Sequence, residues 1–248
     1  MDLQHQVVWV VGASTGIGAA LARELQARGA KVAITARSEQ RLQEVSGGAM
    51  LSLAADVTDP AALDRVAERI TAELGPVDIL LMTAADPRPM DLTRWDRAAF
   101  AEVVNVSLVG ASNAIGAVLP DMLRRRAGTI VGFIAPVAYR GFPAQEAYGA
   151  AKAGLRNLLE ALHVDARPHG IRVTTVSPVG VRSLAGRTLP GIPQTIDPDT
   201  AARAVCDGLE RERGEIAFPG RLATPVKLTR LAPRALWPAL AQRISRRP

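Results

Sequence analysis

The sequence predicts a single α/β domain, a doubly wound parallel sheet covered by helices on both faces. Three observations predict it. Short apolar runs rich in β-branched residues alternate with longer stretches whose apolar residues recur every three or four positions. The chain has 248 residues, enough for one large core and cramped for two. Of these, 48% are hydrophobic and only 4% aromatic, which suits strands buried on both faces by Ala, Val and Leu.

The elements follow in order. Val7–Val11 is a continuous apolar run and reads as the first strand. A helix spans Gly16–Arg28, with Ile17, Leu21 and Leu25 four apart and Gly29 ending it. Lys31–Ala36 is the second strand and Glu39–Val45 a short helix. Met50–Ala54 is the third strand. Thr58-Asp59-Pro60 opens a helix over Ala61–Leu74, because Pro is at home in a first turn. Gly75-Pro76 stops it before a fourth strand, Val77–Met82. Helices over Thr93–Val103 and Val104–Arg126 precede the fifth strand, Thr129–Ile134. A helix over Tyr148–Arg167 leads to the sixth strand, Ile171–Val176. Ser183–Pro198 is rich in Gly, Pro and Thr and reads as a loop. Asp197 is a candidate cap for a helix over Pro198–Arg211, and Ile216–Phe218 is a short last strand. Right-handed crossovers between these strands give a parallel sheet. Residues 1–219 form the body, and 220–248 an arm of the same domain.

Composition narrows the function. The net charge of +6 is unevenly spread. Residues 220–248 carry Arg221, Lys227, Arg230, Arg234, Arg243, Arg246 and Arg247 and no acid, which leaves −1 on the first 219. A near-neutral body argues against nucleic acid as the partner. Cys206 is the one cysteine, so no intrachain disulfide exists, and its helical run predicts a packed core thiol. Met1–Gln6 is polar and lacks the marks of a signal peptide. No apolar run is expected to cross a bilayer as a helix. A cytoplasmic location is the expectation.

The first strand ends in Gly12-Ala13-Ser14-Thr15-Gly16-Ile17-Gly18, and a helix begins within that stretch. Such a turn lets backbone approach a pyrophosphate closely and turns free N–H groups at a helix N-terminus toward it. The spacing is G-x-x-x-G-x-G instead of G-x-G-x-x-G. A glycine-rich turn that binds nothing would look the same in isolation. With a strand before it and a helix after it, the loop makes the fold Rossmann-type.

Together with later landmarks, this loop resembles the short-chain dehydrogenase/reductase family over about Val7 to Ser183. The landmarks are Asp56-Val57 after the third strand, Asn105 in Val104-Asn105-Val106-Ser107-Leu108, and Tyr148-Gly149-Ala150-Ala151-Lys152, similar to the family's Y-x-x-x-K. The resemblance implies a nicotinamide cofactor. It would be held by Gly12, Ser14, Thr15, Gly16, Ile17, Gly18, Asp56, Val57, Ala84, Tyr148, Lys152, Pro178, Val181 and Ser183. It also implies a small-molecule substrate and a homo-oligomer, dimer or tetramer. NAD-binding members of such folds place a carboxylate at the end of the second strand. Here that end reads Thr35-Ala36-Arg37-Ser38. A guanidinium suits a 2′-phosphate, and Ser38 could add a hydroxyl, so NADP(H) is the expected cofactor. A solvated surface arginine is the alternative for Arg37.

Tyr148 and Lys152 share one helical face. A free tyrosine titrates near ~10, and a nearby ammonium lowers that value. The resemblance implies Tyr148 as proton donor, Lys152 as its tuning group and ribose holder, and Asn105 as the residue ordering a water. A helix that merely packs a tyrosine is the alternative.

The departures weigh as much. The family's serine, thirteen residues before the tyrosine, is Ala135, and losing one such donor costs on the order of 10²–10³ in rate. Tyr139 lies close in sequence. The family's Asn-Asn-Ala-Gly is Met82-Thr83-Ala84-Ala85, and its Pro-Gly is Pro178-Val179, where valine could crowd the nicotinamide. Two functions follow: an NADP-dependent oxidoreductase acting on a carbonyl or imine of a small apolar substrate, or a non-redox lyase, cyclase, isomerase or binding subunit. In the arm, Leu228, Leu231, Leu236, Trp237, Leu240 and Ile244 alternate with arginines, and Pro233 and Pro238 break it into short pieces. It could lie on an anionic membrane, cover the substrate mouth, contact another subunit, or simply pack with its arginines in water.

Overall fold

The computed structural model describes residues 1–181 and 196–245. Seven strands form one parallel sheet: β1 (Val7–Val11), β2 (Lys31–Ala36), β3 (Leu51–Ala54), β4 (Ile79–Met82), β5 (Gly128–Phe133), β6 (Ile171–Pro178) and β7 (Glu215–Phe218), in spatial order β3-β2-β1-β4-β5-β6-β7. The order reverses between β1 and β4. That switch point leaves a crevice at the carboxyl ends of the strands, where α/β sheets of this kind bind ligands.

The central strands bury both faces. Val7, Trp9 and Val11 point into a layer formed with α3 (Pro60–Glu73), α5 (Gly110–Arg125) and α6 (Glu146–Ala166). Val8 and Val10 point into a second layer with α1 (Gly16–Ala27), α2 (Glu39–Ser46) and α7 (Pro198–Glu210). Period-2 geometry thus turns an unbroken apolar run into two half-cores. Cys206 is fully buried in the second, and burial pushes its thiol up to about 12, as a packed core thiol should behave. Asp197 caps α7 by accepting the Thr200 amide, and Asp59 caps α3 from the Ala62 amide.

Four expectations need correction. The helix expected from Thr93 starts at Arg97, as α4 (Arg97–Val104), because the Asp96 carboxylate accepts the amides of Ala98 and Ala99 and fixes the first turn there. The two helices expected on either side of Val104 are one continuous helix, joined by a π turn over Asn105–Val109. The resulting stretch Arg97–Arg125 is, by length and hydropathy, long and apolar enough to span a bilayer, contrary to expectation. Here Val103, Ala114, Ile115, Val118 and Met122 are buried, and the stretch packs on α3 and α6 as a core helix. Finally, Pro238 does not break the arm. It sits in the first turn of α9 (Trp237–Ser245), where its missing N–H costs no bond, and α8 (Gly220–Leu228) precedes it.

Candidate active site

The glycine loop is built against the end of β4. Gly12 has φ +92°, and a Cβ there would collide with the backbone of Ala84 and lie 2.9 Å from the Thr83 carbonyl carbon. Gly18 sits against the Gly12 carbonyl, and a Cβ would lie 2.6 Å from the Thr83 hydroxyl. These two glycines let the first helical turn close onto the strand. Gly16, at φ +57°, has nothing within 4 Å of where its Cβ would be, so its outer side is open. Thr15 precedes α1 in extended conformation and makes no side-chain cap. The amides of the first turn therefore face the open crevice with no side chain of their own to bind, an arrangement that fits a pyrophosphate. Ser14 and Ile17 are partly buried beside them.

Thr83, a departure from the family's motif, proves structural. Its hydroxyl donates to the carbonyls of Val11 at 2.8 Å and Gly12 at 3.1 Å. The Ala84 amide adds a bond to Val11 at 3.0 Å. One polar side chain at the end of an apolar strand, beside a positive-φ glycine, is a signal that sequence reasoning passed over.

At the ends of β2 and β3 the geometry suits an adenosine. Arg37 is exposed. The Ser38 oxygen accepts the Arg41 amide at 3.4 Å and caps α2, which leaves its hydroxyl proton free to donate. Partial burial works against the charge of Asp56. Hydrogen bonds from the amide and hydroxyl of Thr58, at 2.9 and 2.8 Å, and the nearby Arg37 outweigh it and hold the carboxyl below its usual range. Val57 is buried; its carbonyl accepts the Asn113 amide at 2.9 Å. Its side chain touches α5 at Gly110, where a Cβ would lie 2.6 Å away. Gly110 is another residue the sequence reading missed. It follows the π turn and donates to the Asn105 carbonyl. π turns inside α-helices recur at functional sites.

Tyr148 and Lys152 come together one turn apart on α6. Lys152 is only 2% exposed, and its ammonium donates to the Phe133 carbonyl, the last of β5, at 2.7 Å. Burial lowers its pKa to about 8. The ammonium lies 5.8 Å from the Tyr148 ring centroid. Tyr148 packs between two apolar groups, Ala135, Phe142 and Trp237 on one hand and Met90, Val103 and Ala147 on the other. Desolvation there pushes its phenol above the usual value. Asn105 is exposed, in the π turn. Lys152 is bonded to Phe133 and not to Asn105. Two residues on, Ser107 is buried, and its oxygen accepts the Asp86 amide at 3.0 Å. Gln145, three residues before Tyr148, is buried with its side-chain oxygen unpartnered among the described residues.

Ala135, expected from the sequence to stand at the family's serine position, is 7% exposed just beyond β5. Tyr139 sends its hydroxyl elsewhere. Its OH turns to Ser177 at 3.3 Å and Glu215 at 3.2 Å, beside β6 and β7. Instead, the arm covers this corner. Trp237 packs edge-on against Phe142 with ring centroids 5.4 Å apart, and its indole N–H donates to the Gly141 carbonyl at 2.7 Å. The Arg140 guanidinium stacks over the indole at 5.3 Å and donates to the Ala232 carbonyl at 3.0 Å. Ala241, one turn along α9, joins the same contact.

Pro178 ends β6, and Val181 bridges to Ile196. Val179 is buried, and its amide donates to Phe218 at 2.9 Å. The positive φ falls on Gly180, at +76°, so valine is unstrained at 179. Ser183 and the apolar residues of the substrate loop lie outside the described residues.

The chain is similar to known proteins. Residues 6–189 match the short chain dehydrogenase family model. An uncharacterized oxidoreductase of Myxococcus xanthus is 31% identical, covering 98% of this chain and 99% of its own. The 3-oxoacyl-(acyl-carrier-protein) reductase FabG of Escherichia coli is 37% identical over 72% of this chain and 74% of its own. A solved short-chain dehydrogenase from Streptomyces avermitilis superposes with a TM-score of 0.81 at 26% identity, covering 96% of each chain. The chain belongs to the short-chain dehydrogenase/reductase family, a family of oxidoreductases acting on small molecules.

Proposed function

We propose that this chain is an NADPH-dependent reductase of a carbonyl or imine in a small, apolar substrate. One observation carries the reading: Tyr148 and Lys152 meet at the carboxyl end of β5, the same end of the parallel sheet at which the glycine turn follows β1. NADPH, when bound, supplies the hydride. Gly12, Gly16 and Gly18 offer backbone to the pyrophosphate, Asp56 and Val57 border the adenine, and Arg37 with Ser38 meets the 2′-phosphate. Lys152 uses one of its three N–H donors on Phe133, which leaves two for ribose hydroxyls.

The burial that raises the Tyr148 pKa keeps the phenol protonated, as a donor must be in the reducing direction. Its proton passes to the substrate oxygen or nitrogen, and the Lys152 ammonium favours the phenolate left behind. Because Ala135 donates nothing, a substrate that carries its own polarisation, an acidified ketone, fits best; an iminium would be polarised too but would take only the hydride, with no proton from Tyr148. Trp237, Phe142 and Met90 make the surroundings of Tyr148 apolar.

Titration of nicotinamide fluorescence tests the reading. NADPH is expected to bind better than NADH, with the preference lost in Arg37→Ala. Binding of neither dinucleotide would overturn it. Ala135 favours a second reading, in which the pocket serves a non-redox lyase, cyclase, isomerase or binding role.

A further inference from the structure

We infer that the arm and the segment before α4 form one membrane-docking rim beside Tyr148, and that its partner is an anionic lipid surface. The two pieces are far apart in sequence and meet at the same tyrosine. α9 turns Trp237 and Ala241 inward, against Ala135, Phe142 and Tyr148. A neighbouring stripe, Leu236 just before α9 with Leu240 and Arg243 on it, follows the i, i+4, i+7 spacing of a single helical face and is exposed. Upstream, Leu228 and Leu231 are also exposed, Leu231 at 71%. On the other piece, Met90 and Val103 form the small cluster against which both Tyr148 and Phe100 pack, while residues 91–98 are all exposed. That run presents Leu92, 79% exposed, and Trp95, 47% exposed.

Exposed leucines alone would not identify an occupant, but the charge does. Residues 220–248 hold seven basic residues and no acid. Among the described residues, Arg221, Arg230, Arg234 and Arg243 are exposed and have no acidic partner, whereas Lys227 pairs with Glu215 at 2.6 Å. Leucine and tryptophan among unpaired arginines match a lipid interface, which offers hydrocarbon just below a negative surface. The segment 86–97 balances three acids against three arginines, so the attraction resides in the arm and the loop contributes apolar contact.

The test is cosedimentation of the full-length protein with phosphatidylcholine vesicles, with and without phosphatidylserine. No cofactor or turnover is needed, so the result stands apart from the redox reading. Partitioning is expected to rise at least about tenfold with phosphatidylserine and to fall with salt. Arg230→Gln with Arg234→Gln and Arg243→Gln should remove the lipid preference. Leu236→Ser with Leu240→Ser should weaken binding while circular dichroism stays unchanged. Trp95 fluorescence should shift to the blue on binding, since Trp9 and Trp237 are already buried. Absence of binding to phosphatidylserine vesicles at low salt, or unchanged binding by the leucine variant, would overturn the proposal. So would a leucine variant that shifts from dimer to monomer when the parent ignores vesicles, because the surface would then face a second copy of the chain.

Discussion

From Gly12 to Gly18 the crevice is made of backbone, a glycine turn and uncapped amides within a short span of chain. From Ala135 to Trp237 it is made of side chains, brought together from β5, α6, the segment before α4 and the C-terminal arm. The first kind of site tolerates few changes and changes little, because backbone approach distances admit only glycine. The second can exchange members one at a time. In this chain that half holds Ala135 and Trp237 side by side in one apolar cluster.

The largest effect should come from Tyr148→Phe. On the proposed reading it cuts turnover by about 10²–10⁴-fold, far more than it weakens dinucleotide affinity in fluorescence titration. Unchanged turnover would show that the side-chain half does no proton transfer. Ala135→Ser comes next, with an expected gain on the order of 10² in reduction of unactivated ketones. If no gain appears in steady-state assays, the pocket has been rebuilt for other chemistry.

Lys152 probes the seam between the halves. Its folded pKa, about 8, lies below the ordinary lysine value. Between pH 8 and 10 the unfolded chain therefore binds more protons at this site, and stability contributed by the site rises with pH. The rise amounts to ~2 kcal/mol. Above pH 10 the raised Tyr148 pKa reverses the sign, because the folded phenol then holds a proton that the unfolded one releases. Denaturant midpoints across pH 7–10 should rise in the parent relative to Lys152→Met. The smallest effect belongs to Thr83→Val, which removes the hydroxyl that ties Val11 and Gly12 together. A loss of about 1 kcal/mol in stability is expected, with weaker NADPH binding.

The strands were legible because apolar runs such as Val7–Val11 have one physical use in a domain of this size. Caps at Asp59 and Asp197 were legible because a carboxylate before a helix has a defined partner. The π turn was not, since Val104–Leu108 is as compatible with an α-helix and its extra residue shows only in hydrogen bonding. Nor was the start of α4, because Thr93 and Asp96 are both acceptable caps and only geometry chooses between them. The roles of Thr83 and Trp237 were hidden for another reason. Each acts across more than 70 residues of chain, on Val11 and on Gly141, and local pattern carries no trace of such contacts. Sequence pointed to Ala135 but not to the Trp237 and Phe142 that pack with it.

The latch formed by Thr83, Gly12 and Gly18 has a kinetic consequence. A turn already locked by its own strand has no loose ensemble to search through when a nucleotide arrives. Association should then proceed in one phase whose rate climbs linearly with nucleotide concentration, set by encounter, with no slower isomerisation following it.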